Sequence, residues 1–267
     1  MKTLLPKSGL NGAISLLAVF LGIATVLLAA EHKQARVTEV IRDVRLLNAQ
    51  MASRAAVVND AVNEGSAVRT GTDSRAELQF SDQTLTRLGA NTVFSFGAGA
   101  RTYDLGSGAI LMTAPKGAGT VKISTTVATC AISGFTGIWE AHNKFTNKVL
   151  VFEGNGDVWL KKNPNDHRHM RSRQILVFPP NAAVLPQPQE FDVCMAINSG
   201  FLVTGFSHKL PSWPLLVAEC DRQRTVVGSN TLVDPTRHDI IDQSVSARPM
   251  ESIPPPRPTI PPDTRPR

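Results

Sequence analysis

The stretch from Val62 to Thr92, VNEGSAVRTGTDSRAELQFSDQTLTRLGANT, most narrows what this chain can become. Ala76, Leu78 and Phe80 alternate with Glu77 and Gln79, the period-two pattern of a half-buried strand. Val68 and Thr70 run into a turn at Gly71 to Arg75. Ser81-Asp82-Gln83 then offers short polar side chains that hydrogen-bond their own backbone in turns. A further strand is expected from Thr84 to Leu88, closed by a turn at Gly89-Ala90-Asn91. Each piece is too short to stand alone, so each needs a neighbour against which to bury one face.

The same pattern continues downstream. Residues 65–156 hold 13 of the 19 glycines, a density of turns that suits short strands better than helices. Strands are expected at 92–96, 102–105, 109–114, 121–126, 129–133, 137–142, 148–153 and 157–161, with Gly154-Asn155-Gly156-Asp157 as a hairpin connection. Upstream, the β-branched content of Ala35 to Leu47 favours a strand, and Asn48 to Asn63 reads as a connector with a short helical turn. Lys161 to Arg173 reads as a solvated basic loop, and Gln174 to Val177 as a last strand ended by Phe178-Pro179-Pro180. The fold class expected is an all-β main domain over 36–180. A β-sandwich, a jelly-roll-like arrangement and a short β-helical stack share this local pattern, and no fixed repeat length marks a solenoid.

The order G-x-x-apolar-x-T-G, then S-R-A-x-L-x-F, D-x-T, R-L and N-T resembles the start of a FecR domain. The matching residues are Gly65, Val68, Thr70, Gly71, Ser74, Arg75, Ala76, Leu78, Phe80, Asp82, Thr84, Arg87, Leu88, Asn91 and Thr92. The resemblance continues through Leu105-Gly106-Ser107-Gly108, then from Thr125 to Trp139. There Gly134-Phe135-Thr136-Gly137-Ile138-Trp139 places one residue between the glycine and threonine of the family's G-T-x-F-like strand. Val149 to Val158 and Gln174 to Val177 resemble its closing strands. The resemblance implies a periplasmic binding or signal-sensing module without a catalytic group. In the family's regulators a cytoplasmic segment ahead of a transmembrane helix acts on a sigma factor. Only thirteen residues precede the apolar run that starts at Ile14, so that output segment is not expected, and neither sigma-factor control nor iron transport is carried over.

Lys2 and Lys7 precede an uncharged apolar run from Ile14 to Ala30, which reads as a secretory signal or an uncleaved N-terminal anchor over 1–30. The remainder is expected in the periplasm, secreted or anchored facing it. The expected membrane contact is through that anchor alone. After a linker at Ala182 to Pro188, a helical appendage is expected over 189–228. Phe191, Ile197 and Phe201 are spaced for one helix; Pro211-Ser212-Trp213-Pro214 starts another, with Ser212 as N-cap. Glu190 and Asp192 suit the first turn of the earlier helix. Residues 229–267 end in Pro249, Pro254, Pro255, Pro256, Pro258, Pro261, Pro262 and Pro266, a composition expected to be disordered with polyproline II character.

The net charge of +6 is spread along the chain without a block of five like charges, and Tyr103 is the single tyrosine; neither suits a nucleic-acid platform. Of three cysteines, Cys130 reads as a buried hydrophobe, while Cys194 and Cys220 form the candidate disulfide for an oxidising compartment. Asp166, His167 and His169 lack the spacing of a helical metal site, and no cofactor is expected. The motifs of metalloproteases, P-loop enzymes and serine hydrolases are absent from the sequence. Glu140 with His142 resembles half of an acid–base pair. The favoured reading is a non-catalytic envelope module whose partner is an envelope or periplasmic protein, or a glycan. The alternative is a carbohydrate-active or hydrolytic envelope protein in which carboxylates among Asp82, Asp104, Glu140 and Asp157 converge in one cleft.

Overall fold

The structure, a computed structural model, describes residues 34–48, 51–97, 101–142, 146–226 and 232–236. The apolar N-terminal run and the proline-rich tail lie outside the described residues. No described helix is long and apolar enough to cross a membrane.

Four short strands lead in: β1 (Gln34–Ile41), β2 (Val44–Asn48), β3 (Met51–Ala55) and β4 (Ala61–Asn63). β5 (Ala67–Thr70), β6 (Arg75–Phe80), β7 (Leu85–Leu88) and β8 (Val93–Phe96) follow as the alternation predicts. Then come β9 (Thr102–Ala114), β10 (Thr120–Ser124), β11 (Ala128–Ala141), β12 (Asn147–Leu160), β13 (Asn163–Arg171), β14 (Gln174–Phe178) and β15 (Gln189–Glu190).

The three long strands each serve two layers. The second halves of β9 and β11 and the first half of β12 lie in one layer, ordered β4-β1-β6-β7-β9-β11-β12-β14-β15. Their other halves join β3-β2-β5-β8 to β10 and β13 in a second layer. All named strand pairings are antiparallel except β9 with β10, which argues against a β-helical stack and for a two-layer sandwich with strands that bend from sheet to sheet. Each bend has a glycine with positive φ: Gly108 (+90°), Gly134 (+53°) and Gly154 (+92°).

The bends also invert which side chains face inward. On β9, Tyr103 and Leu105 enter the shared core before Gly108; Ile110 and Met112 enter it afterwards. On β11 the inward set passes from Cys130 and Ile132 to Phe135 and Trp139, and on β12 from Val149 and Val151 to Val158 and Leu160. A bulge at each corner supplies the odd residue that such an inversion needs. Gly154 is therefore a bend inside one strand rather than the expected hairpin, because both of its flanks stay paired with β11. Phe80 bridges the layers, edge-on to Phe96 at 5.0 Å and to Tyr103 at 5.2 Å.

Two further expectations are corrected. The connector at 48–63 holds strands β3 and β4 in place of a helical turn, because β2 and β1 offer each a partner. The basic loop at 161–173 is largely β13, whose backbone pairs with β12 while most of its side chains stay in solvent.

The first layer is buried on both faces. Its outer face, with Leu85, Leu111, Ile138, Leu150, Phe152 and Ile175, is covered by α1 (Val193–Ser199), α2 (Phe201–Thr204) and α3 (Trp213–Val226). Asp192 is the N-cap of α1, accepting from Met195 N at 2.8 Å, and so precedes its first turn. On α3, Leu216, Glu219, Cys220 and Gln223 follow helical spacing and face inward. Gln223 bridges to Phe191 O (2.8 Å) and Val193 N (3.0 Å). Cys194 and Cys220 are joined by a disulfide between α1 and α3. Ser212 accepts the first turn of α3 through its backbone oxygen, while its hydroxyl has no hydrogen-bond partner.

Candidate binding groove

The polar residues of the 65–92 pattern mostly hold turns. Thr70 Oγ1 donates to Gly89 O (2.6 Å) and accepts from Thr92 N (2.9 Å). Ser74 Oγ accepts from Asp43 N, and Asp82 accepts from Thr84 N at 2.9 Å. These contacts satisfy backbone groups that the tight turns leave unpaired.

Arg87 has a different task. Its side chain is 0% exposed and donates through Nε to Glu77 Oε2 at 2.9 Å. The rest of its guanidinium donates to Leu202 O (3.2 Å), Val203 O (2.9 Å) and His208 O, with the Phe206 ring 4.4 Å away. One planar cation thus satisfies carbonyls around α2 and clamps the helices onto β7. Glu39 adds a surface contact, accepting from Ser207 N (3.1 Å) and Ser207 Oγ (2.8 Å).

Beside this clamp, between the sheet and the helices, lies a groove of about 710 Å³. Ala109, Ile138 and Leu150 line it from the sheet, and Ala196, Phe201 and Leu202 from the helices. Phe201 is 76% exposed, a large apolar ring left in water. Arg42, Asp73 and Arg75 bring charge to the groove. Arg42 and Asp73 make an exposed ion pair at 3.3 Å, worth little in water. Arg75 has its guanidinium carbon 6.0 Å from the Phe201 ring centre, and its buried Nε has no hydrogen-bond partner.

Lys148, whose side chain is 1% exposed, also lines the groove. It approaches Glu140 Oε2 at 3.4 Å and donates to Pro235 O at 3.1 Å. His142 Nε2 lies 3.7 Å from the same carboxylate. Glu140 thus lies between Lys148 and His142, and Lys148 ties this cluster to residues 232–236 through Pro235 O. Val233 extends the anchor through backbone bonds with Glu190 and Asp192.

The four carboxylates of the hydrolytic alternative do not gather. Asp82 pairs with Arg101 beside the β6–β7 turn, Asp104 is exposed on β9, and Asp157 meets His169 on the exposed side of β12 at 3.1 Å. Glu140 alone among them lines the groove.

The histidines of β13 are likewise dispersed among local partners. His167 contacts Asn165 O at 3.3 Å, while Asp166 accepts from Leu185 N at 2.6 Å and pairs with Arg168 at 2.7 Å. The Leu185 amide, followed by Arg168, holds the Asp166 carboxyl below its ordinary range. Among the described residues no group of three or more His, Cys, Asp or Glu side chains is placed to hold a metal ion. Cys130 is buried, and desolvation pushes its thiol up to about 12, out of reach of nucleophilic chemistry at neutral pH.

The local sequence does not reveal Lys148, Arg42 or Phe201 as groove residues. A lysine at the head of the otherwise apolar run Val149–Phe152 was the available signal.

Residues 66–155 match the sequence model of a family described as FecR protein. The matched span begins just before β5 and ends within β12, whereas the sandwich also takes in β1, which pairs with β6, and β14, which pairs with β12. Two solved chains, each described as a "putative anti-sigma factor" from Parabacteroides distasonis ATCC 8503, are similar to this one at 12% and 13% identity, with a TM-score of 0.43 in both cases. The similarity covers 50% of this chain and 65% and 64% of theirs, just under two thirds of their length. No curated protein matches.

Proposed function

We propose that this chain, which carries a FecR domain over residues 66–155, is a signal-sensing module of the cell envelope that binds a partner without transforming it. The family match supports the regulatory class. The observation that carries the binding reading is the groove itself: an apolar floor, an exposed Phe201 and the guanidinium of Arg75 presented beside it. An aromatic ring next to an arginine is a recurrent anchor for protein partners. Lys148 and Glu140, the ionisable pair at the end of the groove, are held by one another and by Pro235 O, which suits a structural anchor better than proton transfer.

The protein is expected to face an oxidising periplasm, where the Cys194–Cys220 bridge persists and holds α1 against α3. The partner is an envelope or periplasmic protein. Affinity capture from native envelopes with the full chain tests this reading: one discrete protein should be retained in stoichiometric amount. Retention on cell-wall glycan with no protein partner would contradict it and favour the carbohydrate reading.

A further inference from the structure

We infer that a second copy of this chain occupies the groove: two protomers pair face to face about a two-fold axis, each seating Phe201 in the other's groove. Self-association is a property of the pure protein, so it goes beyond the envelope reading and holds whether or not an envelope partner binds.

Three observations carry it. The first is that knob and hollow share one face. Phe201 is 76% exposed, and no other phenylalanine, tyrosine or tryptophan among the described residues is exposed. It stands at the rim of the groove floored by Ala109, Ile138 and Leu150, where Gly89 and Ala90 add little bulk. A projecting ring on one face and a pocket on another would build open chains of molecules, whereas both on one face allow a closed pair. Each Phe201 that leaves water for the other copy's apolar floor favours pairing by the burial of a large ring.

The second is a rim that complements its own image. Arg42 and Asp73 line the same groove, 3.3 Å apart, with side chains 66% and 74% exposed. They project from two turns that are locked together: Gly71 N donates to Asp43 O at 2.9 Å, and Asp43 N donates to Ser74 Oγ at 3.1 Å. A two-fold axis at the groove sets Arg42 of each copy against Asp73 of the other. The pair within one chain is exposed and worth little, so exchanging it costs little, and withdrawing the new pairs from water strengthens them.

The third is the balance of charge. Arg42, Arg75 and Lys148 line the groove against Asp73 and Glu140, and Lys148 already approaches Glu140 at 3.4 Å. The signs nearly cancel. Two copies of this groove therefore meet without the repulsion that a rim of one sign would impose.

Sedimentation velocity of the purified full chain, run from about 1 to about 100 µM, tests the inference, since contacts of transient size assemble in that range. The wild-type chain should pass from monomer to dimer and no further. Phe201→Asp should raise the dissociation constant at least about thirtyfold. Arg42→Asp and Asp73→Arg, each alone, should raise it about tenfold. The Arg42→Asp chain mixed with the Asp73→Arg chain should pair at least about tenfold more tightly than either does with itself, because each carboxylate then meets an arginine across the axis. A wild-type monomer at every concentration overturns the inference. So does a dimer that tolerates Phe201→Asp, or a mixture of the charge variants that pairs no better than either alone. Capture of an envelope partner is measured separately, and its failure leaves these outcomes untouched.

Discussion

The two faces of the first layer are made by different means. Its inner face meets the second layer through apolar and aromatic side chains such as Leu78, Phe80, Met112 and Trp139. Its outer face meets the helices and residues 232–236 through an apolar patch crossed by charge: Arg87 with Glu77 and Lys148 with Glu140, both with buried cations, and the partly exposed Arg173 with Glu219 at 2.9 Å. Apolar packing is nearly indifferent to direction, so it unites the sandwich without fixing one docking pose. Hydrogen-bonded cations fail if displaced by an ångström, so they set where the helices sit and leave the groove open beside them. Retaining buried charge here is consistent with a need for one defined groove; an equally buried apolar contact would be cheaper to desolvate.

If that contrast holds, the largest effect belongs to Arg87. Arg87→Ala takes the cation from buried Glu77, which keeps only the Thr38 hydroxyl at 2.8 Å, and removes the donor to the carbonyls of Leu202 and Val203; the expected loss is about 3–5 kcal/mol by chemical denaturation. Hydrogen exchange should rise first in α1–α3. A loss spread evenly over both layers would break the comparison. Leu78→Ala, on the inner face, should cost about 2–5 kcal/mol and lower protection throughout the sandwich.

Reduction of the Cys194–Cys220 bridge, or a Ser pair in its place, sharpens the contrast further. Its 26-residue separation predicts a loss of about 3 kcal/mol, confined to the helical layer, as read by exchange in Val193–Val226. Next comes Gly154→Ala. At φ +92°, its new Cβ would lie 2.7 Å from Gly134 O, for an expected cost of about 1–3 kcal/mol centred on the shared corners of β11 and β12.

The smallest expected effect is pH-dependent. Burial, opposed by the Thr136 hydrogen bond and Lys116, raises the Glu153 pKa, with a contribution from nearby Glu219 in the same direction. A carboxyl raised on folding costs stability as pH climbs from its unfolded value, roughly 4.3, through its folded one. Glu153→Gln should therefore be more stable than wild type at neutral pH, and its advantage should vanish below about pH 4. Thermal melts across that range measure it; an advantage independent of pH would assign the effect to packing.

Much of the sandwich is legible locally. Alternation gives β6, Asp82 and Asn91 mark their turns, and Ser212 with Pro214 opens α3. The long strands are not legible as wholes, because Gly108, Gly134 and Gly154 both read as turns and invert the inward set. β3, β4 and β13 escape for the converse reason: weak patterns become strands only because a partner edge is present. Least legible is the groove. Arg87 reads as one residue of a short strand, and nothing near it announces contact with Leu202, Val203 and His208 more than a hundred residues away.

Envelope capture repeated with a groove variant tests the central claim most directly. The wild-type chain is compared with Arg75→Glu, Phe201→Asp and with a control, Val57→Asp, at an exposed site outside the groove. The account predicts a protein partner retained by wild type and control and lost by the groove variant, with unchanged melting of the sandwich. Equal retention of that partner by all three would contradict the groove as the docking site.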